Sequence, residues 1–308
     1  MTDASPAITA SYAACRLATR QAGSSFSPCF RLLARPQRQA MEALYAFLRH
    51  SDDLGDDDAP LGERRQALAR WRAALQSALA DAGATGYSSA SAASSTSDPH
   101  VALLPALADA VRRFAIPAEH LFAVLDGVAM DLEARRYETF DDLVEYCHRV
   151  ASAVGLACLY IWGFRGEGAF LLARRCGVAF QMTNILRDLK EDAARGRLYL
   201  PAADLRLCDY TPDDLLQGTA DARFDRLMRL QIGRAAQCYR EGAKLFDWLL
   251  PPGRRVFGMM TRTYWELLRK IESFPARVLA GRVRLGRWRK LSIALRWALL
   301  PPGRSSLP

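Results

Sequence analysis

The sequence predicts an all-α fold, and three features of the chain lead to that prediction. Apolar residues recur at three- and four-residue spacing, as in Met41, Leu44, Tyr45 and Leu48, which is the period of an amphipathic helix. Alternating β-branched residues, which would indicate strands, are scarce. Short gaps such as 251–253 separate the periodic segments, as expected for antiparallel helices joined by tight connections. We therefore expect a helical bundle.

Length and composition favour one globular body. Of the 308 residues, half are apolar and about a quarter are charged, which is enough to build a sizeable core. We expect residues 1–308 to form a single domain with a flexible surface loop at 83–99, because the small polar residues there cannot offset their ordering entropy. A domain boundary in this loop is the alternative, but it would leave only about 80 residues before it, which is short for an independent domain.

The charge distribution leaves several partners open. The net charge is +9, which suits nucleic acid, anionic lipid or phosphorylated substrates equally well. The C-terminal segment 283–308 interleaves Arg and Lys with Trp288, Trp297 and leucines, a composition typical of a helix at an anionic membrane surface. A packed terminal helix with a basic outer face is the alternative. Nothing in the sequence indicates the oligomeric state.

Cysteine usage and hydropathy predict a cytoplasmic protein. The seven cysteines include no CxxC pair and are odd in number, so we expect them to be reduced. The N-terminal residues lack the pattern of a secretory signal, and the uncharged run 150–164 is shorter than the roughly 20 residues of a spanning helix. Peripheral contact at the inner face of the membrane stays open for the C-terminal segment. With only four scattered histidines, we do not expect a zinc site.

The first acidic cluster lies in the segment YAFLRHSDDLGDDD. Tyr45, Arg49, Asp52 and Asp56 are spaced by four, three and four residues, so they share one helix face. Like charges at such spacing weaken a helix by a few tenths of a kcal/mol, so the crowding predicts a compensating cation. A solvated helix end before a proline is the alternative explanation.

The second acidic cluster lies in GVAFQMTNILRDLKEDAARGRLYLP. Gln181, Asn184, Asp188 and Asp192 fall on one face of an otherwise apolar helix. Carboxylate and amide oxygens suit Mg²⁺, which proteins usually hold with one or two carboxylates and substrate phosphates. Two such faces opposite each other would hold a diphosphate through Mg²⁺.

At these residues the chain closely resembles the squalene and phytoene synthase family. The resemblance rests on four blocks in the family's order: SSFSPCFRLLARPQRQAMEALYAFLRHSDDLGDD, RRYETFDDLVEYCHRVASAVGLA, the second acidic cluster, and TYWELLRKIESFPARVLAGRVRL. It implies an isoprenoid synthase fold, a single helical bundle with a central active-site cavity. It also implies that Asp52, Asp56, Asp188 and Asp192 bind the Mg²⁺ ions.

The resemblance also assigns roles residue by residue. It implies catalytic roles for Tyr146, near the reacting carbons, and for Arg49 and Arg187, on the departing group. It implies substrate contacts at Ser25, Tyr45, Gln181, Asn184, Tyr264 and Arg282. Without the resemblance, the two arginines are equally explained as surface ion pairs, and the tyrosines as half-buried helix residues. Gly55 departs from the family pattern, where a better helix former is usual, so it is expected to loosen that helix end.

The implied activity is a Mg²⁺-dependent head-to-head condensation of two prenyl diphosphates, so the protein is expected to be a prenyltransferase. We expect two farnesyl diphosphates to give presqualene diphosphate or squalene. The alternative is a phytoene synthase that uses two geranylgeranyl diphosphates. Squalene formation would need NADPH, which the sequence does not support because it has no GxGxxG fingerprint.

Other classes of protein remain as alternatives at this stage. A terpene cyclase or a head-to-tail elongase also uses Asp-rich helices. A non-enzymatic basic helical binding protein is more remote, and we do not expect nucleic acid as a partner, because carboxylates repel phosphates without a bridging ion.

Overall fold

The computed structural model describes residues 5–23, 27–83, 98–133, 135–300, 303–304 and 307–308. No β-strand occurs in these ranges, and their one isolated bridge joins Phe164 to Leu249. The predicted all-α class is therefore confirmed.

The helices are α1 Pro6–Gln21, α2 Arg35–Asp56, α3 Leu61–Gly83, α4 Leu104–Phe114, α5 Glu119–Leu132, α6 Phe140–Cys147, α7 Ala153–Trp162, α8 Gly168–Ala194, α9 Ala202–Leu207, α10 Pro212–Gln217, α11 Ala222–Gly242, α12 Leu245–Trp248, α13 Pro251–Ser273, α14 Arg277–Ala280 and α15 Arg287–Leu299. Short 3₁₀ helices span Ser27–Leu32 and Pro99–Leu103, and a π-helical segment spans His148–Ser152.

Local sequence signals explain where several helices begin. Thr139 and Asp142 form a capping box at the start of α6, and Thr211 and Asp214 form one at α10. The Asp221 side chain accepts hydrogen bonds from two backbone N–H groups at the start of α11. Such caps satisfy donors that have no partner within the helix.

The ends of the predicted loop 83–99 belong to regular structure. Helix α3 includes Gly83, and the 3₁₀ helix begins at Pro99 with Asp98 as its cap. The capping carboxylate accepts a hydrogen bond from the backbone N–H of His100 at 2.8 Å. Residues 84–97 lie outside the described residues.

Two large apolar clusters form the core, and α8 belongs to both. The first cluster joins α2, α3, α4, α5 and α7 with the N-terminal half of α8, and the second joins the C-terminal half of α8 with α11 and much of α13. Phe180, in the middle of α8, packs against both clusters. The face of α8 that carries the second acidic cluster is therefore fixed by packing along the whole helix.

The π-helical segment packs against both α5 and α8. A Cβ on Gly177 of α8 would lie 2.5 Å from the Ser152 backbone, and one on Gly127 of α5 would lie 2.3 Å from a Val150 methyl group. Both contacts are too short for a side chain, so glycine at these positions allows α5 and α8 each to pack closely on the π-helical segment. Since α5 also packs against α2, it lies between the two acidic helices.

The C-terminal helix α15 docks on α13 through buried apolar side chains and through Arg255 of α13, which donates to the Trp297 carbonyl at 2.8 Å. Trp297 is buried, and a Cβ on Gly258 of α13 would lie 2.2 Å from that ring. No helix among the described residues is long and apolar enough to cross a membrane.

Candidate active site

Helix α2 presents the first acidic cluster near its C-terminal end. Arg49 pairs with Asp53 one turn later, and its side chain is 53% exposed. Tyr45 is half-buried, with its ring edge-on to Phe30 at 6.1 Å. Asp52 lies one turn before Asp56, as the sequence spacing predicts.

The segment that follows α8 docks onto the end of α2. Arg197 donates to Asp56 at 2.6 Å and to the Gly55 carbonyl at 2.8 Å, and Arg195 lies 3.3 Å from Asp56. These contacts hold the end of the second acidic cluster against the first. Arg197 was not predicted as a site residue, although it lies in the sequence segment of the second acidic cluster.

Gly55 does not loosen the helix as predicted. It is buried, α2 continues through Asp56, and a Cβ on Gly55 would lie 3.0 Å from Val128 of α5. Its carbonyl also accepts a hydrogen bond from Arg64 at 3.0 Å. Glycine here permits close packing between α2 and α5, which the helix-propensity argument did not consider.

Carboxylates from three helices interact electrostatically at this point. Burial, with the nearby charge of Asp56 and then Asp131, raises the pKa of Asp52 to about 7. Burial and the charge of Asp188 raise the pKa of Asp192 to about 7, with smaller effects from Asp131 and Asp56. The side chain of Asp52 is exposed to solvent, so bulk water screens part of this repulsion.

The negative charge of Asp188 is balanced by two arginines. Arg187 forms a bidentate pair with it, with one N–H···O distance of 2.7 Å, and Nε of Arg282 lies 3.0 Å from the same carboxylate. Arg187 is only 13% exposed and also donates to the hydroxyl of Tyr264. The structure thus brings three predicted residues, Arg187, Tyr264 and Arg282, around one predicted metal ligand.

Asn184 and Gln181 lie one turn apart, before Asp188 on the same helix. The amide nitrogen of Asn184 donates to the Gln181 side-chain oxygen at 3.4 Å, while its own oxygen is buried without a partner among the described residues. An unpartnered buried oxygen costs roughly 1–3 kcal/mol. It therefore favours a ligand that supplies a cation or a donor at this position.

Tyr146 lies in a group of tyrosines that surrounds the carboxylate of Asp131. Asp131 was not predicted as a site residue from the sequence. The Tyr146 hydroxyl donates to Asp131 at 3.0 Å, and Tyr199 donates to the other oxygen at 2.8 Å. The rings of Tyr146 and Tyr199 stack at 5.1 Å, beside Tyr137. Burial raises the pKa of Asp131 to about 6, despite the two hydroxyl donors.

One sequence signal pointed to Asp131. It follows Val124 and Val128 at helical spacing on the buried face of α5, where an acidic residue needs a polar partner. The partners, Tyr146 and Tyr199, are 15 and 68 residues away, so only the fold identifies them.

A cavity of about 620 Å³ lies behind this aromatic group, lined by Tyr137, Leu200 and Tyr210 among others. None of the predicted site residues lines it, so it is not the predicted diphosphate site. Ser25 lies outside the described residues.

Comparisons with known proteins agree with the helical fold and the acidic helices described above. A family model described as squalene/phytoene synthase matches residues 19–289. The chain belongs to the squalene/phytoene synthase family. The predicted family and prenyltransferase class are thereby confirmed, and so is the isoprenoid synthase fold.

Relatives within the family carry two different names. The chain is 34% identical to a phytoene synthase of Arthrospira platensis over 91% of this chain and 90% of that protein. It is 33% identical to a presqualene diphosphate synthase of Rhodopseudomonas palustris over 90% and 94%. The crystal structure of squalene synthase HpnC from Alicyclobacillus acidocaldarius is similar at a TM-score of 0.76 and 26% identity, covering 90% of this chain and 97% of that one. These comparisons support head-to-head condensation of prenyl diphosphates and leave the chain length of the substrate open.

Proposed function

We propose that the protein condenses two farnesyl diphosphates, with Mg²⁺, to presqualene diphosphate, or to squalene where NADPH supplies a hydride. The observation that supports this proposal is that Asp56 of α2 and Asp192 of α8, two helices far apart in the sequence, lie close enough to repel each other. Residues of both helices repel one another electrostatically across α5, which a divalent cation would offset.

The donor set fits Mg²⁺. All the converging groups are oxygen donors, Asp52 and Asp192 have no ion pair among the described residues, and the Asn184 oxygen is unpartnered. Hard oxygen donors of this kind suit Mg²⁺ together with substrate phosphates. When bound, the ion would act as a Lewis acid that neutralises the diphosphate.

The surrounding cations stabilise the departing diphosphate. Arg187 and Arg282 lie at Asp188, so their positive charges face the region where negative charge develops as the allylic C–O bond breaks. Arg49 pairs with Asp53 and would have to turn away from it to reach the diphosphate. Preorganised charges in such sites supply a large part of catalysis.

Tyr146 and Asp131 provide a route for the proton. The double bond of the second substrate attacks the allylic cation, and loss of one proton then closes the cyclopropane ring. The Tyr146 oxygen accepts that proton while its own hydroxyl proton passes to Asp131, which accepts a hydrogen bond from it. Because the pKa of Asp131 is about 6, its carboxylate is mostly ionised at neutral pH and able to take the proton.

Product analysis tests the proposal. Purified protein is incubated with Mg²⁺ and either farnesyl or geranylgeranyl diphosphate, with and without NADPH, and extracted products are identified by mass spectrometry. We expect Mg²⁺-dependent diphosphate release and presqualene diphosphate from the farnesyl substrate. Absence of any Mg²⁺-dependent turnover would refute the proposed site.

Phytoene synthesis from two geranylgeranyl diphosphates is the second candidate. It is favoured by the 34% identity to the phytoene synthase of Arthrospira platensis. Phytoene from the longer substrate, without turnover of the shorter one, would establish this candidate instead.

We also propose that α15 contacts an anionic membrane surface. Trp288, Leu291, Leu295 and Leu299 are exposed and spaced by three, four and four residues, so they share one face of the helix. Trp288 is 71% exposed and Leu299 is 75% exposed. Exposed arginines, including Arg284, Arg287 and Arg296, surround this face, as expected for a helix on anionic lipid.

Vesicle flotation tests this contact. The double variant Trp288→Ser, Leu295→Ser is expected to bind vesicles of anionic lipid at least about tenfold more weakly than the unmodified protein, because apolar burial and charge act together. Leu207→Ser, which changes an exposed leucine on α9, is the matched control. Equal binding of all three proteins would refute the contact.

A further inference from the structure

We infer that His50, Asp98 and His100 form a second metal site, suited to Zn²⁺ and distinct from the aspartates of α2 and α8. One ligand atom from each of the three side chains lies within 4.8 Å of the other two. The ligand set comprises two imidazoles and one carboxylate, a combination that favours Zn²⁺ and similar transition metals over Mg²⁺.

The distances between the donor atoms suit a small ion. Nε2 of His50 lies 3.0 Å from one oxygen of Asp98, and Nδ1 of His100 lies 2.9 Å from the other. Ligand atoms about 2.0–2.1 Å from a tetrahedral zinc stand roughly 3.3 Å from each other. An opening of a few tenths of an ångström would bring these two contacts to that separation, and the remaining pair of donor atoms, the two imidazole nitrogens, lies within 4.8 Å.

The fold assembles the three residues from two segments. His50 is buried in α2, with its ring edge-on to Trp71 at 4.5 Å. His100 stacks on His50 at 3.9 Å with 16° between the ring planes. For both nitrogens to point at one ion, His100 must tilt, and its 49% exposure leaves room on that side.

The opposing explanation is a purely structural cluster. Asp98 caps the 3₁₀ helix through the His100 N–H, and its carboxylate would then accept a hydrogen bond from each imidazole. In that case the three side chains hold the turn against α2 and have no affinity for metal. In the proposed site, coordination replaces both imidazole hydrogen bonds and ties the turn to α2 two residues before Asp52.

Zinc binding to the whole protein separates the two explanations. Chelator-treated protein is titrated with Zn²⁺ by calorimetry, and Co²⁺ is used as a spectroscopic probe of nitrogen coordination. We expect one ion per chain at this site, because all seven cysteines, the competing zinc ligands, are buried. His100→Ala and Asp98→Asn are each expected to weaken Zn²⁺ binding at least about tenfold, since each removes one of three protein ligands.

Two controls identify the site. Asp188→Asn, in the proposed Mg²⁺ site, and His120→Gln, a histidine outside the cluster, are expected to retain Zn²⁺ affinity. Zn²⁺ is also expected to raise the melting temperature of the unmodified protein and not that of His100→Ala, because only a ligand of the folded state stabilises it.

The Zn²⁺ affinities of the variants either support or overturn the proposed zinc site. Loss of Zn²⁺ affinity in His100→Ala, with retention in Asp188→Asn, supports it. Unchanged Zn²⁺ affinity in His100→Ala, loss in Asp188→Asn instead, or no Zn²⁺ binding to the unmodified protein each overturns it. The Mg²⁺-dependent activity proposed above can hold or fail independently of these results.

Discussion

Each of the two acidic helices has one aspartate that is paired with arginines and one that is not, and the paired aspartate comes second on α2 but first on α8. On α2 the later aspartate, Asp56, is paired with Arg195 and Arg197, while the earlier one, Asp52, has no ion pair among the described residues. On α8 the earlier aspartate, Asp188, is paired with Arg187 and Arg282, and the later one, Asp192, is left without an ion pair in the same part of the chain.

This difference separates carboxylates whose charge is already offset by arginines from carboxylates whose charge is not. The pKa is raised at both carboxylates without an ion pair, so in the proposed Mg²⁺ site the ions would offset mainly the charges of Asp52 and Asp192. Substitutions at the two kinds of carboxylate and at their partners are therefore expected to have different effects.

The largest effect is expected at the unpaired carboxylates. Asp52→Asn or Asp192→Asn should lower kcat by at least about 100-fold, because each removes a preorganised charge from the proposed Mg²⁺ site. Diphosphate release as a function of Mg²⁺ concentration measures the effect. Asp58→Ala, at an exposed carboxylate of the same acidic run, is the matched control, and near-normal activity of Asp52→Asn would contradict the assignment.

A slightly smaller loss is expected from Asp131→Asn. The substitution removes the charged acceptor of the Tyr146 and Tyr199 hydroxyls, so kcat should fall about 100-fold while Mg²⁺ affinity changes little. The double variant with Tyr146→Phe should be no slower than the slower single variant, because the two residues act as one unit. Additive losses would show that Tyr146 and Asp131 act separately.

Arg197→Ala is expected to reduce stability. Arg197 is 13% exposed and satisfies both Asp56 and the Gly55 carbonyl, so its removal should cost about 2 kcal/mol of unfolding free energy. Denaturant unfolding measures this cost. Arg195→Ala, at an exposed arginine near the same carboxylate, should cost less than about 1 kcal/mol, and an equal cost for both variants would contradict the comparison.

The smallest effect concerns pH and the metal-free protein. A carboxyl whose pKa rises from 3.8 unfolded to about 7 folded contributes stability below pH 4 that is lost as pH rises to about 7. Because Asp52 is exposed, water screens much of the repulsion, and Asp52→Asn should raise the metal-free melting temperature by only about 2–4 °C at pH 8, and by less at pH 5. Thermal melts at both pH values measure this, and a lower melting temperature at pH 8 would show that Asp52 is not repelled by its neighbours.

The helical architecture and the two acidic faces could be predicted from the sequence because both depend on local patterns. Asp52 and Asp56, or Asp188 and Asp192, share a face through helix geometry alone. Arg197 and Tyr199 lie in the sequence segment of the second acidic cluster, yet no local pattern distinguishes them from surface residues. Their roles depend on partners 141 and 68 residues away.

What the sequence by itself determined was therefore the fold class, the family and the acidic residues of the candidate site, since helical periodicity and ordered motifs are properties of neighbouring residues. Only the tertiary structure decided which carboxylates have arginine partners, why Gly55 is a glycine, and that Asp98 joins two histidines. The physical reason is that burial and charge pairing depend on which segments meet in space, and here α5 and the segment after α8 bring together side chains that sequence spacing keeps apart.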